Sequence, residues 1–368
     1  MKIGLLIPAF ISGVGGAEKV AFEVAKIIQK NGGQSTIVCN PRREQPEHLN
    51  EESKIKLLQV KLNNNDALRK VKCNFDLIIG FGMTSFFKRI VKISEIWNVP
   101  FIIQECTNPN RMIATLFVHQ QDNCRTLEDA FWCRQRVFSK AAAIRLTVPK
   151  YEKSVHPEIR PNVHSFYNSF EPDEPITIKP VKKKIISVGA FKNTNKNGMV
   201  AVCSFARFAA TYPDWRYVQY GKNVFEADFE NLAAQDPKLL ILDSGIERSI
   251  SKIYDGAFGL VIPSYEEGLP NVVVEAFTYG VPCIGFSDCE GVNHLIKDGV
   301  NGFLVDRKDP EAITNALHKL TVKGVRQQFS RNASDFAREN FKKQDFEDNW
   351  MNVIHSALGR NLKTLKTS

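Results

Sequence analysis

IGLLIPAFISGVGGAEKVAFEVAKIIQKNGGQSTIVC, residues Ile3–Cys39, decides the fold. Ile3, Leu5, Leu6 and Ile7 form a short apolar run of the buried-strand type. The turn Ser12-Gly13-Val14-Gly15-Gly16 follows. From Ala17 the apolar residues recur at Val20, Val24, Ile27 and Ile28, a helical period. Asn31-Gly32-Gly33 stops the helix, and Thr36-Ile37-Val38-Cys39 is the next strand. One strand–helix–strand unit of this kind seeds a parallel sheet.

The alternation continues outward. Asp76–Ile79 reads as a strand ending at Gly80, Thr84–Trp97 as a helix and Val99–Ile103 as a strand. The loop Gln104-Glu105-Cys106-Thr107-Asn108-Pro109 comes next, then a helix over Thr126–Lys140 and a strand over Ala143–Val148. This pattern predicts a doubly wound α/β domain. Periodicity fails in EPDEPITIKPVKKK, residues 171–184, which is rich in proline and charge and reads as a linker. A second alternating run starts at Ile185-Ile186-Ser187-Val188-Gly189, with strands near Tyr217, Leu240 and Gly259–Ile262. The two halves share a pattern without a readable repeat. Phe341–Leu358 reads as a closing helix with Phe346, Trp350 and Ile354 on one face.

Composition limits the classes. With 368 residues and 43% hydrophobic content, the chain has material for two cores and is too apolar to be disordered. No apolar run is long enough for a spanning helix, and Pro8 breaks the opening run too early for a signal peptide. The eight cysteines form no C-x-x-C pair, which argues against zinc and for a reduced, cytoplasmic protein. The net charge of +9 suggests an anionic partner, a solvated basic surface being the plainer alternative.

Two segments carry chemistry. The Gly13–Glu18 turn can point backbone N–H groups at an anion. A dinucleotide fingerprint would place a third glycine where Glu18 stands, so NAD is disfavoured. The second segment is Pro263-Ser264-Tyr265-Glu266-Glu267-Gly268-Leu269-Pro270-Asn271-Val272-Val273-Val274-Glu275-Ala276. It follows a strand, Pro270 suits a first helical position, and Glu267 lies in the loop. Glu275 is about 7.5 Å further along the axis than Pro270, at ~1.5 Å per residue. Ligands of open α/β sheets bind at such strand ends.

Glu267, seven residues and Glu275, set in P-S-x-x-E-G-L-P, resemble the signature of the retaining glycosyltransferases of family 4. Gly15-Gly16-x-Glu18, Ile186–Gly189, Gly280-Val281-Pro282, Gly291-Val292 and Asp298–Val305 match the same family. The resemblance implies a GT-B fold, two Rossmann-like domains facing a cleft. The domains would be 1–175 for the acceptor and 176–340 for the nucleotide sugar, with 341–368 crossing back onto the first.

The same resemblance implies that Glu275 receives the ribose hydroxyls. Gly268, Leu269, Pro270 and Asn271 would lie against sugar and diphosphate. Glu267 would sit near the reacting carbon, and Gly15 and Gly16 would approach the diphosphate. The family's usual arginine after the strand glycine is missing. Gly189 is followed by Ala190-Phe191-Lys192-Asn193-Thr194-Asn195-Lys196, so Lys196, helped by Lys192, is the expected phosphate cation. Glu18, Glu105 and Asn108 are acceptor-side candidates, a capped loop being the alternative for the last two. The Glu105 loop resembles a branch common among bacterial surface-polysaccharide enzymes.

The expected protein is thus a retaining transferase using a nucleotide sugar, expected to be uridine-linked, on a glycan or lipid-linked acceptor. No metal or other cofactor is expected, because no Asp-x-Asp follows an apolar strand. Phe86-Phe87-Lys88-Arg89-Ile90-Val91-Lys92-Ile93 offers peripheral contact with an anionic membrane, or else a surface helix with one face in the core. Competing classes are a carboxylate-pair glycosidase, an NAD oxidoreductase and a basic nucleic-acid-binding protein. The last has no recognition motif, so no nucleic-acid partner is expected.

Overall fold

The structure, a computed structural model, describes residues 1–8, 16–41, 55–82, 84–118, 125–172, 181–191, 194–221, 240–243, 245–247 and 249–364. It divides into two compact units. One is Met1–Asn168 with Gln344–Ser368, and the other is Ser169–Lys343.

The first unit holds β1 (Lys2–Leu6), β2 (Gln34–Cys39), β3 (Lys56–Gln59), β4 (Leu77–Gly82), β5 (Phe101–Glu105), β6 (Ala143–Leu146) and β7 (Val163–Ser165). The strands are parallel and ordered β3-β2-β1-β4-β5-β6-β7. The order reverses between β1 and β4, which is the topological switch point of a doubly wound sheet. The helix Gly16–Lys30 joins β1 to β2 and buries Val20, Val24, Ile27 and Ile28, the residues of the helical period. The helix Leu127–Phe138 opens on a capping box between Thr126 and Asp129.

Strand β5 runs two residues beyond Val99–Ile103. Gln104 and Glu105 belong to the ladder, in register with Arg145 and Leu146. Polar residues enter this buried strand because buried arginines answer them. Arg145 donates to Gln104 Oε1 at 3.0 Å, and Arg134 pairs with Glu105.

The closing helix spans Lys343–Thr364. Phe346, Trp350, Val353, Ile354 and Ala357 complete the core formed by β1, β4 and the first helix. Arg145 lies fully buried against them. Its guanidinium faces Phe166 at 4.5 Å, Trp350 at 5.8 Å and Phe346 at 5.9 Å. Burial lowers its pKa to about 9.

The helix Thr84–Trp97 takes the second of its two expected roles, a surface helix with one face in the core. Phe86, Phe87, Ile90 and Ile93 are buried in the unit. The Arg89 guanidinium is drawn inward to Leu62 O and Asn65 Oδ1. The aromatic side chains that would enter a bilayer are therefore spent on the core. Among the described residues, no helix is long and apolar enough to cross a membrane.

The second unit holds β8 (Lys184–Val188), β9 (Arg216–Tyr220), β10 (Leu240–Asp243), β11 (Gly259–Ile262), β12 (Cys283–Phe286) and β13 (Gly302–Val305). They form a parallel sheet ordered β10-β9-β8-β11-β12-β13. The first six strands of one sheet and all six of the other thus follow the same winding, a repeat of topology without a repeat of sequence. Of the expected linker 171–184, residues 173–180 lie outside the described residues. Lys184 is a buried strand residue instead, its ammonium donating to Ile253 O at 3.1 Å.

Candidate active site

The switch point of the second sheet falls between β8 and β11. The segments that follow these two strands are those that carry Lys196 and Glu267, so the winding brings together residues 71 positions apart. Ser187 Oγ on β8 donates to Val261 O at 2.7 Å, tying the two strands just below the loops. Above them the loops are stitched edge to edge. Tyr265 N–H donates to Asn195 O at 2.9 Å, and Asn195 Nδ2 donates to Glu266 O at 2.7 Å. Lys196 Nζ then reaches Glu267 Oε1 at 2.5 Å. The ammonium and the carboxylate are both partly buried, 25% and 11% exposed, so their attraction is less screened than at an open surface.

The loop after β11 is held from two further sides. Arg307 donates to Tyr265 O at 3.0 Å, packs over the Tyr265 ring at 5.0 Å and pairs with Asp288. Gly291 closes the other side. A Cβ there would stand 2.5 Å from Gly268 O and 2.6 Å from Glu267 O. Only glycine lets the helix Glu290–Leu295 approach the loop backbone so closely. Cys289, just before that helix, is buried, and burial pushes its thiol up to about 12. It therefore stays protonated and unreactive at neutral pH.

Asn271 begins the helix Asn271–Thr278, with Pro270 as its N-cap at φ −74° rather than its first residue. Pro270 has no N–H to leave unpaired, and its carbonyl accepts from Val273 N–H at 2.9 Å. Gly268, Leu269 and Pro270 therefore lie immediately before a helix N-terminus, where the amide dipoles favour an anion. Glu275 sits one turn into the helix, 5% exposed, and Tyr254 Oη donates to its Oε2 at 2.9 Å.

Gly189 follows β8 directly, and its N–H donates to Tyr220 O at 3.0 Å. The strand ends crowd here, because Gly221, at φ +126°, would place a Cβ 1.8 Å from Gly189 O. Lys192 lies outside the described residues, so the described phosphate-side cation of the expected pair is Lys196. Among the described residues there is no cluster of three side chains suited to a metal ion.

The first unit carries the acceptor-side candidates. Gly15 lies outside the described residues, as does Gly13. Gly16 opens the first helix and is exposed, and Glu18 lies buried in its first turn. Glu105 has a different employment from the one expected. It is 1% exposed, with Arg134 Nε on Oε1 at 2.8 Å and Nη2 on Oε2 at 2.6 Å. Arg134 also donates to Ser154 O at 2.8 Å. Both carboxylate oxygens are held by one guanidinium, so Glu105 ties β5 to the helix Leu127–Phe138 rather than facing an acceptor. Asn108 Oδ1 accepts from Asn110 N–H at 2.9 Å, which is the capped-loop alternative, before the helix Pro109–Val118.

Sequence reasoning did not reach Tyr254, Asn195 or Arg307 as parts of the site. Each acts through a contact between segments far apart in the chain.

A parallel doubly wound sheet with an acidic loop and a cation at its switch point is the layout of a nucleotide-sugar or dinucleotide domain. Residues 182–322 match the family model described as glycosyl transferases group 1. An uncharacterized glycosyltransferase of Haemophilus influenzae is 32% identical over 117 residues, covering 30% of this chain and 32% of the relative. A UDP-Gal:alpha-D-GlcNAc-diphosphoundecaprenol alpha-1,3-galactosyltransferase of Escherichia coli is 36% identical over 95 residues, 26% of this chain and 24% of the relative. The aligned part thus spans about a third or less of these relatives. The crystal structure of Anabaena HepE with UDP and glucose matches at TM-score 0.73, with 16% identity and full coverage of both chains. The lipopolysaccharide outer core galactosyltransferase WaaB matches at 0.64, with 19% identity over 97% of this chain and 99% of that one. At this identity the likeness is one of fold, and the fold is the GT-B glycosyltransferase fold expected from the sequence.

Proposed function

We propose that this protein is a retaining glycosyltransferase. It moves a sugar from a nucleotide donor, a UDP-sugar, to a glycan or lipid-linked acceptor of a bacterial surface polysaccharide. The observation that carries the reading is the Lys196–Glu267 pair, set at the switch point beside the N-terminus of the helix that bears Glu275. A dinucleotide domain has no need of that cation beside that carboxylate, whereas a departing diphosphate needs positive charge where its own charge develops. Two relatives support the acceptor class. The Escherichia coli protein is named for a diphosphoundecaprenol substrate, and a Campylobacter jejuni relative for a PP-undecaprenol one. The Anabaena complexes support uridine as the base.

In this mechanism Glu275 takes the ribose hydroxyls. Gly268, Leu269 and Pro270 lie against the diphosphate, whose charge Lys196 and the amides of the Asn271 helix offset. Lys192 would add a second cation. Glu267 fixes the donor sugar near its anomeric carbon and sets the position of Lys196. An acceptor hydroxyl oxygen forms the new bond to the anomeric carbon on the face from which the diphosphate departs. The bond from that carbon to the phosphate oxygen breaks, and the departing phosphate takes the acceptor's proton. Configuration is retained, and no protein base or metal is required. The reaction belongs on the cytoplasmic side of the cell membrane, where nucleotide sugars are made.

Calorimetric titration with UDP, GDP, ADP and NAD in metal-free buffer tests the reading. One nucleoside diphosphate should bind and NAD should not. Binding of NAD alone, or of no nucleotide, would refute it.

A further inference from the structure

Tyr254 ends the short helix Ile250–Tyr254, in the connection that leads into β11. It is 1% exposed, and its ring stacks on Tyr279 with centroids 5.6 Å apart and planes 14° from parallel. Its hydroxyl lies 2.9 Å from Glu275 Oε2 and 3.0 Å from Val272 O, both within donating distance. The phenol is too deep to meet a ligand, yet it touches the carboxylate assigned to the ribose.

A glutamate side chain has three rotatable torsions, the last of them soft. A carboxylate that must meet two neighbouring hydroxyls in one geometry gains by being fixed before the ligand arrives. The Tyr254 hydroxyl supplies that fixation from behind, and the stack on Tyr279 fixes the tyrosine in turn. Burial and the neighbouring Glu275 charge raise the Tyr254 pKa well above its ordinary value, so the hydroxyl remains a donor at any physiological pH.

We propose that Tyr254 is a positioning residue that, through Glu275, makes this domain select ribonucleoside over deoxyribonucleoside diphosphates. The inference rests on the reading of Glu275 as the ribose-binding group. It adds a specificity determinant that lies outside the signature and contacts no substrate.

The test compares UDP with 2′,3′-dideoxy-UDP by calorimetry on the full chain. The unaltered protein should favour UDP. Tyr254→Phe, which keeps the ring and removes the donor, should weaken UDP binding about ten-fold, the size of one hydrogen bond to a charged group. It should leave dideoxy-UDP unchanged. In a Glu275→Gln background the same substitution should change the UDP to dideoxy-UDP ratio no further. The ratio is read within each variant, so a reduced folded fraction affects both ligands equally. Tyr254→Leu serves as a second variant with the same expected ratio.

Equal weakening of both ligands would overturn the proposal in favour of a packing role. An unaltered ratio in Tyr254→Phe would also overturn it. Should the unaltered protein bind both ligands equally, the ribose role of Glu275 fails and the proposal with it, while UDP binding keeps the transferase reading. Binding of neither ligand by the unaltered protein, with no other nucleoside diphosphate bound, removes both.

Discussion

Glu105→Gln separates a structural carboxylate from a substrate-binding one. In the structure Arg134 and Glu105 are 0% and 1% exposed and joined by two parallel hydrogen bonds. The amide keeps one acceptor oxygen for Arg134 but turns an NH2 donor toward the other guanidinium N–H. One bond is lost, two donors face each other, and a buried cation loses its counter-charge. Removing one partner of a buried pair costs about 3–5 kcal/mol. The remaining Arg134 bond to Ser154 O places this case near the lower end, about 3 kcal/mol. With a urea slope near 2 kcal/mol/M, the unfolding midpoint should fall by about 1.5 M. Tryptophan fluorescence can follow it by unit, because Trp97, Trp132 and Trp350 belong to the first unit and Trp215 to the second. Only the first transition should move. The pair Glu105→Leu with Arg134→Met, which removes both charges, should recover most of the loss. A Glu105→Gln protein with the normal midpoint and a raised KM for acceptor would refute the reasoning, since the carboxylate would then be acting on substrate.

Three further outcomes follow from the second unit. Lys196→Ala should lower turnover by about 10²-fold, as loss of one charge-stabilising donor does, and a near-normal rate in a steady-state assay would move the phosphate role to another cation. Gly291→Ala should weaken nucleoside diphosphate binding, because its Cβ meets loop backbone at 2.5 Å, whereas Gly359→Ala meets nothing within 4 Å and should be silent; equal calorimetric affinities for the two variants would contradict the bracing role. The Lys184 pKa is lowered from 10.5 to about 8, chiefly by burial, so between these values the unfolded chain binds more protons and stability should rise with pH. Lys184→Met should flatten that rise in urea midpoints taken from pH 7 to pH 10, and an unchanged slope would show that Lys184 is solvated.

The winding was legible because it is written locally. Apolar runs, glycine stops and helical periods lie within a dozen residues of each other, and those in Ile3–Cys39 reappear as β1, the first helix and β2. The ends of elements were harder. Gln104 and Glu105 look like loop residues by polarity, and only the arginines opposite them, 29 and 41 residues away, make them fit a buried strand. The aromatic–basic run Phe86–Ile93 shows the same difficulty, since a helix facing the core and one facing lipid share a pattern. In the site, Glu267, Gly268 and Glu275 announce themselves through one contiguous motif. Asn195, Arg307 and Tyr254 do not, because what they contribute is a distance across a sheet.

The closing helix has a consequence for synthesis. The first unit is interrupted after Asn168 and resumes at Gln344, with the whole second unit emerging between. At ~5–20 residues per second, the ribosome takes roughly 10–35 s to bridge that gap. Through that time the nascent first unit carries its sheet without Phe346, Trp350 and Ile354, and the Arg145 guanidinium lacks two of its three aromatic walls. An apolar groove with a cation in its floor stands open until the last turns of helix arrive. Folding of the first half is thus tied to completion of the second, so a ribosome that stalls within residues 169–343 releases a chain whose oldest segment has never closed its core.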